Sequence, residues 1–113
     1  MPSWPQRRRC GSSPSAAPAP TVLVTEVVSD QTNVVAWNFS ELIATPPTSV
    51  AGFFIDGYEP VALVGIDGLT ASISYDAPVV TEAEWTIAET PPGMTFADGK
   101  TLVLPQSGAV IVT

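Results

Sequence analysis

Apolar positions along this chain come in short bursts, and between bursts stand turn-forming residues. From Thr21 the order is TVLVTEVV (21–28), a polar SDQTN (29–33), then VVAWNF (34–39) with Val35, Trp37 and Phe39 at period two. ATPPTS (44–49) is a loop held by Pro46 and Pro47, and ELIATP before it is at most one helical turn that the prolines stop. GFFI (52–55) ends at Asp56-Gly57, and VALVGI (61–66), bulged at Gly65, ends at Asp67-Gly68. TASISYD (70–76) alternates most cleanly, with Ala71, Ile73 and Tyr75 on one side and Thr70, Ser72 and Ser74 on the other. EWTIAE (84–89) repeats the pattern through Trp85 and Ile87. MTF (94–96), Asp98-Gly99 and TLVL (101–104) suggest a hairpin, Ser107-Gly108 a turn, and AVIVT (109–113) a closing strand.

No ten-residue window carries a period near 3.6. Short strands at roughly 8–12-residue spacing predict an all-β sandwich of about 7–9 antiparallel strands over residues 21–113. Its expected core is Val22, Val24, Val35, Trp37, Phe39, Phe53, Ile55, Leu63, Ile73, Tyr75, Trp85, Ile87, Phe96, Leu102 and Leu104.

Residues 1–20, MPSWPQRRRCGSSPSAAPAP, have a different texture: five prolines, four serines and no apolar period. They are expected to be a disordered basic arm. They hold no 7–15-residue apolar run of the secretory type. Cys10 followed by GSSPSAAPAP has the look of a lipoprotein tether, but RRR stands where the apolar segment belongs. No run in the chain approaches the length needed to span a membrane as a helix.

Charge follows the same division. The 113 residues hold four basic and eleven acidic side chains, net −7. Arg7, Arg8 and Arg9 lie in the arm, so residues 21–113 carry −10 with Lys100 as their one cation. An acidic body disfavours nucleic-acid binding by that body. It favours solubility and leaves protein partners as the expected ones. Arg7, Arg8 and Arg9 are candidates for docking on acidic neighbours, and Trp4 for anchoring in a partner's groove.

Candidate chemistry is sparse. The chain has no His and one Cys, which removes Ser-His and Cys-His pairs, imidazole-bound zinc and an intrachain disulfide. G-x-G-x-x-G, G-x-x-x-x-G-K-[ST], H-E-x-x-H and G-x-S-x-G motifs are absent. Glu82 and Glu84 share a strand face that is expected to be wet rather than a cleft. Asp56, Glu59 and Asp67 lack the close spacing of a calcium loop, and each Asp before a Gly is explained by turn chemistry. Asn38-Phe39-Ser40 fits the glycosylation triplet, but Asn38 falls inside a strand. Phe54 and Tyr58, around the Asp56-Gly57 turn, are the aromatic residues expected at the surface. The sequence therefore points to no catalytic residue, metal or cofactor.

VLVTEVVSDQTNVVAWNFSE (22–41) is similar to the opening of immunoglobulin-like and fibronectin type III-like modules: a strand, a polar turn and a second strand with an inward Trp, here Trp37. The tyrosine-bearing late strand of fibronectin modules is replaced by ETPPGMTF (89–96). VAWNFSELI (35–43), GFFIDG (52–57) and ISYDAP (73–78) more closely resemble bacterial and phage Ig-like modules with a V-x-x-x-F-S-E-hydrophobic strand end. The resemblance implies an Ig-like sandwich with a non-enzymatic structural role, in a phage particle or similar surface assembly. It also accommodates an extracellular carbohydrate- or polymer-binding module on a bacterial surface.

Overall fold

A computed structural model describes residues 20–113. Ten strands form among them: β1 (Val24–Ser29), β2 (Val34–Phe39), β3 (Ile43–Thr45), β4 (Phe54–Ile55), β5 (Pro60–Asp67), β6 (Thr70–Tyr75), β7 (Glu84–Ile87), β8 (Thr95–Phe96), β9 (Gln106–Ala109) and β10 (Ile111–Val112). The fold is all-β. One sheet has the order β10-β1-β2-β6-β5, a second β4-β7-β9, and β3 pairs with β8 in a small third. Pairing is antiparallel except where β1 meets β10 and where Val22 bridges Leu102.

The two larger sheets share one core. Pleating turns alternate residues of β2 and β6 inward, so Val35, Trp37 and Phe39 meet Ala71, Ile73 and Tyr75. Trp85 and Ile87 of β7, with Ile55 of β4, face them from the second sheet. Trp37 stands edge-on to both Phe53 and Trp85, with ring centroids 5.2 and 5.6 Å apart. Phe39 packs on Phe96 at 5.3 Å, which ties the small sheet to the core. This arrangement has the two-layer form of a sandwich.

Buried polar groups join the layers. Trp37 Nε1 donates to Tyr75 Oη (3.0 Å), and Tyr75 Oη donates to the Phe53 carbonyl (2.9 Å). Burial pushes the Tyr75 phenol well above its ordinary range. Ser29 Oγ donates to the Val79 carbonyl. Gln106 accepts from the Val24 N–H (2.9 Å) and donates to the carbonyls of Val22 (3.1 Å) and Val103 (2.7 Å). The start of the body is thus laced to its end.

Several expectations need correction. Residues 94–104 form no hairpin: β8 pairs with β3, Ala97–Gly99 is a 3-10 turn, and of 101–104 only Leu102 makes a bridge, to Val22. Residues 43–45 of ELIATP are strand rather than helical turn, because β8 offers them a partner. The closing strand is two strands in different sheets, β9 and β10, around the buried Val110. Ser107-Gly108 lies within β9, where Gly108 sits under the Trp85 ring. Leu104 is 38% exposed and not core, and Leu63 is half-buried against the core. Val27, Val79, Met94 and Val110 complete the interior.

Candidate functional site

Arg7, Arg8, Arg9 and Trp4 lie outside the described residues. Phe54 and Tyr58 are described, and the structure does not bring them together. Phe54 projects from the outer face of β4, 51% exposed, in a row with Thr86 of β7 and Ser107 of β9. A shallow hollow of about 340 Å³ lies beside it, lined by Gly52, Phe54, Thr86, Ala88 and Glu89. Tyr58 instead packs against the core, with its hydroxyl 3.3 Å from Thr81 Oγ1. One ring faces outward and the other inward, so they make no shared aromatic platform.

The five-stranded sheet presents a second surface. Registers across it place Ile111, Val28, Ala36, Ser72 and Gly65 in one outward row, without a charge. A parallel row runs Glu26, Asn38, Thr70, Asp67, with an acid at each end.

β5 is the third surface. It ends the sheet, so one side of its eight-residue backbone pairs with no other strand. The other edges of the two larger sheets, β10, β4 and β9, have two, two and four residues. Two bulges interrupt β5, one between Pro60 and Ala62 and one between Leu63 and Gly65. Each inserts an extra residue opposite β6, and these residues, Val61 and Val64, are 60% and 58% exposed. A groove of about 250 Å³ runs beside the strand, between Val61–Leu63 and the loop residues Pro47–Val50. Sequence reading finds the bulge near Gly65. It does not find the open edge, because VALVGI has the same pattern in the middle of a sheet as at its margin.

The charged groups are dispersed. Glu82, Glu84, Asp56 and Glu59 are exposed. Among the described residues, no three His, Cys, Asp or Glu side chains gather closely enough to hold a metal ion. Lys100 pairs with Glu41 at 3.2 Å. The Asp30 carboxyl, fully in solvent, is held below its ordinary range by hydrogen bonds from the Thr32 hydroxyl and N–H. That is the geometry of the turn between β1 and β2. Asn38 is engaged in the sheet by a hydrogen bond from Thr70 Oγ1. No helix among the described residues is long and apolar enough to cross a membrane.

Comparison with protein-family models, with curated proteins and with solved structures finds no match.

Proposed function

We propose that this chain is a non-enzymatic structural module that works by protein–protein contact, as a component of a phage particle or a similar surface assembly. The strand order β1-β2-β6-β5 against β4-β7-β9 is that of a constant-type immunoglobulin sandwich, and it supports the Ig-like reading. The observation that carries the proposal is the unpaired eight-residue edge of β5, with two exposed valines and a groove alongside. An open edge is a template for another chain. Charge supplies the second element: residues 21–113 carry −10, and Arg7, Arg8 and Arg9 give each copy a cationic segment to set against a neighbour's acids. Trp4 adds an aromatic anchor in that segment.

Size-exclusion chromatography with light scattering tests this, comparing the full chain with residues 21–113 at low and high salt. Large species from the full chain that dissolve in salt are the expected result. Identical monomeric profiles for both refute it.

Phe54 supports a second reading, an extracellular module that binds a carbohydrate or surface polymer. Its exposed ring lies beside a hollow that also holds Glu89 and Thr86, an apolar face next to polar groups of the kind a sugar ring uses. Binding on a glycan array that Phe54→Ala removes is the result that favours it, and a silent array counts against it.

A further inference from the structure

We infer that the occupant of the β5 edge is residues 10–17 of a second copy of this chain, added as a parallel strand in the groove beside Val61–Leu63. The inference rests on the assembly reading above and names the surface and the segment that carry it.

Four features converge on that segment. It holds one proline, Pro14, at an even position, and the prolines that follow, Pro18 and Pro20, lie beyond it. In an extended chain, N–H groups of like parity point to the same side. Gly11, Ser13, Ser15 and Ala17 therefore present every N–H to one neighbour, while Pro14 faces away, the one arrangement in which proline is tolerated at a sheet edge. Size also fits. The segment is Cys, Gly, Ser, Pro and Ala, small side chains of which two or three could enter the groove of about 250 Å³ between Val61–Leu63 and Pro47–Val50. Length fits as well, since residues 10–17 match the eight residues of β5. Direction then follows from charge. A parallel segment carries Arg7, Arg8 and Arg9 past Pro60 to Glu59 and Asp76. These two acids are held side by side, with the Glu59 N–H on Asp76 Oδ1 at 3.2 Å and the Asp76 N–H on the Glu59 carbonyl at 3.0 Å. The antiparallel alternative would place the three arginines at the Asp67 end, where the nearby Glu41 is already paired with Lys100.

The donor is another copy because the chain's own edge is out of reach. Thr21 is fixed by its N–H on the Thr101 carbonyl (3.0 Å), and β1 lies three strands from β5, about 14 Å. Joining residue 17 on β5 to Thr21 of the same copy requires crossing that distance and one spacing more, and reversing direction within Pro18-Ala19-Pro20. The four steps from residue 17 to Thr21 span about 12 Å in polyproline geometry, against about 19 Å across the four spacings from a strand added outside β5 to β1. In a neighbour the same stiff spacer simply separates the two bodies.

The test is a proline scan in the full-length chain. Ser13→Pro and Ser15→Pro remove N–H groups that face β5, whereas Ser12→Pro and Ala16→Pro, with the same chemistry at the other parity, remove none. Self-association is read by light scattering across a concentration series, and amide hydrogen exchange reads the protection of those amides of Val61–Ile66 that face the open edge rather than β6. The odd-position prolines are expected to weaken association roughly fivefold each. The even-position prolines are expected to leave it unchanged, and wild-type protection of β5 is expected to rise with concentration. Equal effects at both parities overturn the inference. So does association with β5 unprotected, which leaves the assembly reading standing. Protection of β5 independent of concentration means the copy's own segment occupies the edge and also overturns it. A full chain that stays monomeric at every concentration removes both readings.

Discussion

Replacing Tyr75 by Phe isolates the polar link between the sheets. The hydroxyl accepts from Trp37 Nε1 and donates to the Phe53 carbonyl, and all three residues are buried to within about 1%. Phenylalanine keeps the ring and the packing but leaves one buried donor and one buried acceptor without partners. Each such orphan costs about 1–3 kcal/mol. The expected loss is about 2–4 kcal/mol, a large part of the roughly 5–14 kcal/mol available to a domain of this size. Thermal unfolding should fall by about 10–25 °C. Urea unfolding followed by tryptophan fluorescence should shift its midpoint by about 2 M with unchanged slope. Tyr58→Phe is the control: its hydroxyl meets Thr81 in an exposed position, so its effect should stay within about 0.5 kcal/mol. Alkaline pH gives an independent readout. Burial raises the Tyr75 phenol above its ordinary 10.0, so the unfolded chain releases this proton first. Stability from this group is fully present below pH 10.0 and declines as pH rises above it, at about 1.4 kcal/mol per pH unit. Tyr75→Phe should abolish that component of the slope. A loss under 0.5 kcal/mol, or an alkaline slope unchanged by the substitution, refutes the reasoning.

Two further substitutions probe the body. Gly108→Ala puts a Cβ 3.0 Å from the Trp85 indole, so overpacking should cost about 1–3 kcal/mol and shift the tryptophan emission, as a denaturation series read by fluorescence will show. Gln106→Leu keeps the volume but strands the Val24 N–H and the Val103 carbonyl, while the Val22 carbonyl keeps the Val103 N–H. It should cost about 1–3 kcal/mol, with faster hydrogen exchange at Val24 than at residues of β6.

The elements legible in the sequence are those whose partners leave period-two alternation undisturbed. β2, β6 and β7 each bury alternate residues, and their inward sets, Val35-Trp37-Phe39, Ala71-Ile73-Tyr75 and Trp85-Ile87, match the expected ones. The β5–β6 hairpin was equally legible, because Asp67-Gly68 supplies its own turn, with Gly68 at φ +60°. Legibility fails where pairing is non-local. MTF and TLVL are near neighbours with an Asp-Gly between them, yet β8 pairs with Ile43–Thr45, some fifty residues back, and Leu102 with Val22, eighty residues back. No local pattern encodes those choices. AVIVT conceals a change of sheet at Val110 for the same reason. Of the candidate surface residues, Phe54 was readable from its turn-flanking position, but Tyr58 was not, since the Ile55–Tyr58 bridge folds it back on the core.

The buried and half-buried polar side chains bear on where function resides. Tyr75, Trp37, Ser29 and Gln106 all have their hydrogen-bonding groups committed to backbone or to one another. Groups so engaged hold the sandwich closed and are not free to meet a ligand, so recognition falls to the surface. There β5 differs from an ordinary edge. Sandwiches protect long edges with charges along the strand or with bulges that spoil flat pairing. β5 has the bulges, at Val61 and Val64, but no charge from Pro60 to Ile66; its acids stand only at the ends, Glu59 and Asp67. Bulges disfavour edge-to-edge pairing of two β5 strands, each stiffened by its own sheet, since both would have to bend alike. A single extended segment can follow the bends, and missing charges leave it unopposed. That combination selects for a small-residue strand with its cations at one end, and against indiscriminate aggregation.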